Sequence, residues 1–186
     1  MAFKLSHLFF DLYARLRGGK TPPPPADLPQ SIYDFTVDGL TGAPIDFAAF
    51  KGRKLLVVNT ASNCGFTRQY EGLEALSKAF PDKLAVVGFP ANDFANQEKG
   101  ENESIAAFCQ RNYGVTFPMA AKISVTGPQI APIYQWLIRQ QFNGLRDAPV
   151  KWNFQKYLLN EQGKVIAVFP SDMAPNAPEV LSAIAG

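Results

Sequence analysis

The chain holds two cysteines and a single histidine, and Cys64 is the residue best placed to act as a nucleophile. It lies in the stretch Val57-Val58-Asn59-Thr60-Ala61-Ser62-Asn63-Cys64-Gly65-Phe66-Thr67. The apolar, β-branched run from Leu55 to Val58 reads as a buried strand, and a helical pattern starts near Thr67. A cysteine between a strand end and a helix start lies near unpaired N–H groups and the positive end of the helix dipole. Both favour the thiolate, which is the nucleophilic form. The same placement also suits a buried structural thiol, because free cysteine is among the most buried residue types. The histidine, His7, falls in the N-terminal arm. Most zinc sites and most Ser-His or Cys-His schemes are thereby removed, unless the arm folds over the core. Whatever activates Cys64 is expected not to be histidine. Cys64 and Cys109 are too few for a disulfide scaffold but enough for a redox couple.

The 186 residues suit one domain with a proper core. Hydrophobic residues make up 47% and charged residues 18%, a globular composition. A net charge of +2 gives no basis for a nucleic-acid partner. No apolar run approaches the roughly 20 residues of a membrane span. Residues 2–17 carry an amphipathic helical pattern, with Phe3, Leu5, Leu8, Phe9, Leu12, Tyr13 and Leu16 apolar and Lys4, Arg15 and Arg17 basic. A signal peptide would have a longer pure apolar core and a small-residue cleavage site. The pattern fits either weak contact with a membrane surface or a helix that packs on its own domain or frays. Gly18-Gly19-Lys20-Thr21 and the prolines Pro22 to Pro25 read as a semi-rigid linker. Residues 1–30 are therefore expected to be arm and linker, and residues 31–186 the domain. Without a clear leader the expected compartment is the cytoplasm, with a peripheral-membrane or exported placement left open by the arm.

Within the domain, Ile32 to Val37 reads as a strand, Asp38-Gly39 as a turn, and Leu40 to Phe50 as a return strand with a short turn. Leu55 to Asn59 and Leu84 to Phe89 read as buried strands. Thr67 to Phe80 reads as a helix with Tyr70, Leu73, Leu76 and Phe80 on one face. Further helices are expected over Asn102 to Asn112, Gln129 to Gln141 and Pro178 to Ala185. Tyr157–Leu159 and Val165–Phe169 flank a hairpin turn at Glu161-Gln162-Gly163-Lys164. This alternation predicts an α/β fold, a central mixed sheet flanked by helices.

Four separated motifs resemble those of the glutathione peroxidase family. The first is Asn59-Thr60-Ala61-Ser62-Asn63-Cys64-Gly65-Phe66-Thr67 with Gln69-Tyr70-Glu71-Gly72-Leu73 behind it. The second is Gly88-Phe89-Pro90-Ala91-Asn92-Asp93-Phe94 with Gln97-Glu98 and Gly100. Tyr113-Gly114-Val115-Thr116-Phe117-Pro118-Met119 and Lys151-Trp152-Asn153-Phe154 complete the set. The match runs in order from about Ser31 to about Pro170, leaving the arm outside it. The resemblance implies a thioredoxin-like fold and a catalytic set of Cys64, Gln97, Trp152 and Asn153. It implies an antioxidant hydroperoxide reductase that needs no cofactor or metal. The chemistry is coherent: a thiolate cleaves the O–O bond of a peroxide, and it needs donors to hold it. The Gln97 amide, the Trp152 indole N–H and the Asn153 amide are donors, and none titrates near neutral pH. Two positions depart from the pattern. Ala91 stands where many relatives carry cysteine, and Asp93 replaces the usual glutamine. With cysteine rather than selenocysteine at position 64, a slower peroxidase is expected.

Peroxide attack leaves Cys64 as a sulfenic acid, which condenses with a thiol. In thioredoxin-dependent members the resolving cysteine sits on the helix after the Gln-Glu block. Cys109 lies there, one residue before the position in the plant-type enzymes, which is about 100° of helix rotation. Its face is shared with Ile105, so it reads equally as a resolving thiol or a buried core thiol. The reductant is expected to be thioredoxin through a Cys64–Cys109 disulfide, or glutathione acting directly. The short link from Phe142 to Val150 resembles the compact, mostly monomeric branch, whose open site accepts hydrogen peroxide and large organic or lipid hydroperoxides. A dithiol oxidoreductase would need Cys-x-x-Cys, and Thr67 occupies the second position. A peroxide-sensing redox relay using the same cysteines remains the alternative.

Overall fold

The structure is a computed structural model that describes residues 21–186 together with Leu12. The helical pattern read over residues 2–17 lies outside the described residues, apart from Leu12. The fold grows from one central strand, β3 (Lys54–Thr60), whose seven residues are all buried. After the short hairpin β1 (Thr36–Asp38) and β2 (Pro44–Asp46), β3 pairs in parallel with β4 (Leu84–Pro90) in the register Leu55↔Ala85 to Thr60↔Pro90. The crossover between them is helix α1 (Gln69–Ala79). The other edge of β3 pairs antiparallel with β5 (Lys156–Leu159), which pairs with β6 (Val165–Phe169), giving the order β4-β3-β5-β6. Helices α2 (Asn102–Tyr113), α3 (Pro132–Leu137), α4 (Gln140–Asn143) and α5 (Pro178–Ala185) complete the layers.

Because β3 is covered on both faces, it reads as a continuous apolar run rather than an alternating one. Its side chains still alternate between two cores. Leu55 and Val57 pack with Phe47, Phe89, Tyr134, Trp136 and Tyr157. Leu56 and Val58 pack with Tyr70, Leu73, Leu76, Ile105 and Phe154. Cys64 touches both clusters, so the loop after β3 sits at the seam where the two cores meet.

Three expectations are corrected. Ile32–Asp34 is a 3₁₀ turn rather than a strand, capped by Ser31, whose hydroxyl accepts the Tyr33 N–H at 3.2 Å. Only Thr36–Asp38 is extended there. The return strand is limited to Pro44–Asp46, because the Asp46 carboxylate caps a second 3₁₀ turn at the Ala48 N–H, 2.9 Å away. The helix expected over Gln129–Gln141 is two short helices, since Pro132 opens α3 at its first turn and Arg139 is extended (φ −110°, ψ 128°). The Arg139 guanidinium turns back to bond the Gln135 carbonyl (3.2 Å) and side-chain oxygen (2.8 Å), and it also bonds the Pro22 carbonyl. With Leu28 buried and the Trp136 indole donating to the Gln30 carbonyl at 3.4 Å, the proline-rich segment lies strapped along α3.

The β5–β6 turn forms where it was read. Gly163 there has φ +74°, and a Cβ on it would meet Tyr33 at 2.7 Å and Ile32 at 2.8 Å. Gly163→Ala is therefore expected to cost about 2–4 kcal/mol, combining left-handed strain with overpacking. Urea denaturation checks this, and a midpoint equal to wild type would show that the 3₁₀ turn yields without cost.

Candidate active site

Cys64 sits in consecutive turns between the end of β3 and the start of α1. Thr67 fixes this loop. Its hydroxyl accepts the Cys64 N–H at 3.0 Å and lies 2.9 Å from the Ala61 carbonyl and 2.7 Å from that of Cys64. The Phe66 N–H points at the Cys64 Sγ, 3.4 Å away. The Trp152 and Asn153 side chains also donate to the sulfur. The thiol is half-buried, and burial outweighs these donors, so its pKa is pushed up from the ordinary value. The Phe66 N–H favours the thiolate as the placement suggested, and burial opposes it more strongly. Helix α1 begins at Gln69 rather than near Thr67, which leaves Cys64 beyond the reach of its first turn. What holds the sulfur is one amide and two side chains.

Those side chains come from the segment leading into β5. The Asn59 amide at the end of β3 donates to the Trp152 carbonyl at 3.2 Å, and the Phe154 N–H donates to the Asn59 carbonyl at 2.6 Å. Phe154 takes a left-handed conformation (φ +67°), unusual for a bulky residue and a mark of a backbone held by its surroundings. Part of the hold is Lys156, fully buried, whose ammonium donates to the Phe154 carbonyl (2.7 Å) and the Met173 carbonyl (2.8 Å). The Trp152 ring packs on Phe94 with centroids 5.6 Å apart. Gln97 joins through Asn153, whose amide donates to the Gln97 side-chain oxygen at 2.9 Å, and through its own carbonyl, which accepts the Asn63 N–H at 3.0 Å. Cys64, Trp152 and Asn153 are thus in mutual reach, and Gln97 is tied to them by Asn153.

Cys109 is elsewhere. It lies on α2 in the second core with Ile105, Val115 and Phe117, and burial pushes its pKa up. Both cysteines are free thiols, so the structure holds Cys109 as a core residue. Of the two departures, Ala91 is buried in the core. Asp93 ties the Gln97 loop to its neighbour, accepting the Ser124 hydroxyl at 2.5 Å and the Val125 N–H at 2.8 Å. Glu98 is buried and accepts the Ser62 hydroxyl at 3.0 Å, and burial raises its carboxyl pKa. Sequence reading missed Asn59, Thr67 and Lys156. The available signal was a polar residue inside an apolar strand run, which serves for Asn59. Among the described residues no three His, Cys, Asp or Glu side chains converge as metal ligands.

A parallel β-α-β unit closed by an antiparallel hairpin is a thioredoxin-like fold. With a cysteine at the end of its central strand ringed by N–H donors, it defines a thiol-based redox protein. Residues 32–138 match the family model described as "Glutathione peroxidase". Over 145 residues the chain is 50% identical to "Glutathione peroxidase-like peroxiredoxin gpx1" of Schizosaccharomyces pombe, covering 77% of this chain and 91% of the relative. Over 154 residues it is 42% identical to "Hydroperoxy fatty acid reductase gpx1" of Synechocystis, covering 78% and 90%. The solved structure "Crystal structure of Trgpx in apo form" is similar at a TM-score of 0.63 and 38% identity, covering 84% of this chain and 96% of that one. The chain belongs to the glutathione peroxidase family, and it is a glutathione peroxidase-like peroxidase.

Proposed function

We propose that Cys64 is the group that reduces the hydroperoxide, with Trp152, Asn153 and Gln97 as its polar frame. The observation that carries this is the convergence of Phe66, Trp152 and Asn153 donors on the Cys64 sulfur. The ionised sulfur attacks one peroxide oxygen. The S–O bond forms, the O–O bond breaks, and the alkoxide leaves as it takes up the proton given up by the thiol. Cys64 is left as a sulfenic acid and the peroxide as an alcohol, or as water when the substrate is hydrogen peroxide. The frame contributes by holding negative charge without titrating, so it does not consume the proton that the leaving oxygen needs. The name of the Synechocystis relative supports fatty-acid hydroperoxides among the substrates.

The cycle then needs a thiol. Cys109 is proposed to resolve the sulfenic acid: its thiolate attacks the Cys64 sulfur, the S–S bond forms, and the S–O bond breaks with loss of water. Thioredoxin then reduces the disulfide. Helix α2 must open for this, and it is weakly anchored, with only Ile105 and Cys109 buried along its length. The test is steady-state peroxide consumption with thioredoxin and its reductase, set against glutathione and its reductase, for wild type and Cys109→Ser. Thioredoxin-driven turnover that falls to background in the variant is expected. Turnover that ignores the substitution would make this a one-cysteine peroxidase and leave Cys109 a core residue. Absence of turnover with either reductant would favour a peroxide-sensing relay.

A further inference from the structure

We propose that Asn92 is the positioning residue for Gln97, acting as a side-chain staple that brackets it on both sides. The inference rests on the reading of Gln97 as part of the Cys64 site. The Asn92 amide nitrogen donates to the Asn96 side-chain oxygen at 2.6 Å, and its oxygen accepts the Glu98 N–H at 2.8 Å. One side chain therefore bonds the residue before Gln97 and the residue after it.

The loop needs such a staple. Ala95 and Asn96 are consecutive non-glycine residues with φ of +51° and +55°. Side chains rarely adopt that conformation, alanine less readily than asparagine. Left alone, the segment would relax to right-handed or extended geometry and rotate Gln97 with it. The ends of the loop are anchored, by Asp93 on Ser124 and Val125 and by Phe94 on the Trp152 ring. Across the left-handed pair the Gln97 N–H bonds the Phe94 carbonyl at 3.2 Å. Asn92 spans the same stretch with side-chain bonds at its far end.

The consequence reaches the sulfur in two steps. Gln97 accepts from the Asn153 amide through its side chain and from the Asn63 N–H through its carbonyl, and Asn63 precedes Cys64. A shift of Gln97 loosens both the Asn153 donor and the Cys64 loop. Asn92 itself is not among the donors to the sulfur.

The test compares Asn92→Ala, Asn96→Gly and Gln97→Ala with wild type in three readouts. These are the second-order rate with hydrogen peroxide, the pH dependence of Cys64 alkylation by iodoacetamide, and thermal stability. Asn96→Gly suits the positive φ while deleting one of the two staple bonds, and its side chain is exposed, so it tests the staple even where Asn92→Ala fails to fold. Misplacement of a reacting constellation by about an ångström costs up to roughly a hundredfold. On that scale Asn92→Ala is expected to slow peroxide reduction about tenfold and Asn96→Gly about threefold, both with alkylation shifted to higher pH. A variant with a lowered melting point but wild-type rate and alkylation profile would reduce Asn92 to a structural role and overturn the proposal. If Gln97→Ala is slow while the Asn92 and Asn96 variants are not, the staple alone fails. If Gln97→Ala is also at the wild-type rate, the reading of Gln97 fails and takes the staple with it.

Discussion

Cys64→Ser is expected to reduce hydroperoxide consumption to background with every reductant, because a serine hydroxyl has no accessible anionic form near neutral pH and oxygen cannot cycle through a sulfenic acid. This is the largest effect the structure predicts. The frame variants refine it. Trp152→Phe and Asn153→Ala each remove one donor from a sulfur that also accepts the Phe66 N–H. Losing one preorganised donor to developing charge costs about 10²–10³-fold in well-studied oxyanion sites, and a thiolate is larger and more diffuse, so about tenfold to a hundredfold is expected here. The sign of the accompanying pH effect is fixed. Burial pushes the Cys64 thiol up, and the donors pull it down. Deleting a donor removes only the downward pull, so the thiol pKa rises and the rising limb of the rate moves to higher pH. Stopped-flow peroxide reduction across pH 6–9 measures both quantities. A wild-type pH limb in Asn153→Ala would assign the hold on the sulfur to Phe66 and Trp152 alone.

The sheet and its central strand β3 were legible because they rest on burial. Leu55–Val58 and Leu84–Phe89 are apolar on both faces, a pattern that only an interior strand can use. Helix α5 has the bounds read from its sequence, because Pro178 can only begin a helix. What failed is local side-chain capping. Ser31 and Asp46 convert strand-like runs into 3₁₀ turns, and Arg139 ends α3 by bonding back to Gln135; each outcome depends on a bond that periodicity does not register. The site divides in the same way. Cys64, Gln97, Trp152 and Asn153 were named from the family resemblance, and in the structure Asn153 bonds Gln97 while Trp152 and Asn153 lie at the Cys64 sulfur. The burial that opposes the thiolate was not visible, because position relative to a helix can be read in sequence and desolvation cannot. The support behind the frame was invisible. A lysine in a short strand reads as a solvent-facing residue, and Lys156 is instead in the core.

That lysine should make the protein more stable as pH rises above neutrality, the reverse of what an ion-paired lysine does. Burial lowers its pKa from 10.5 to about 7, with Asp172 opposing the shift. The unfolded chain keeps the ordinary value. Between about 7 and 10.5 the unfolded state therefore binds more protons than the folded one, and unfolding free energy climbs with pH by up to about 1.4 kcal/mol per unit. Below the folded pKa the burden of the buried ammonium is felt in full. Cys64 and Cys109 work in the opposite sense at higher pH, because their folded pKa values are raised. The informative quantity is thus the difference between wild type and Lys156→Met across pH 6–8.5, where the cysteines cancel. Urea midpoints are expected to show wild type gaining roughly 2 kcal/mol on the variant from pH 7 to 8.5. A difference flat across that range would mean that the two carbonyls and Asp172 hold the ammonium at its ordinary pKa. The variant also strips the donor from the Phe154 carbonyl, which is part of what keeps that residue left-handed behind Trp152 and Asn153. Its peroxide rate should fall even at pH 7, the low end of the range, where the variant compares best with wild type in stability. The same buried cation that burdens the fold at neutral pH is thereby one of the groups that aims the Trp152 and Asn153 donors at the sulfur.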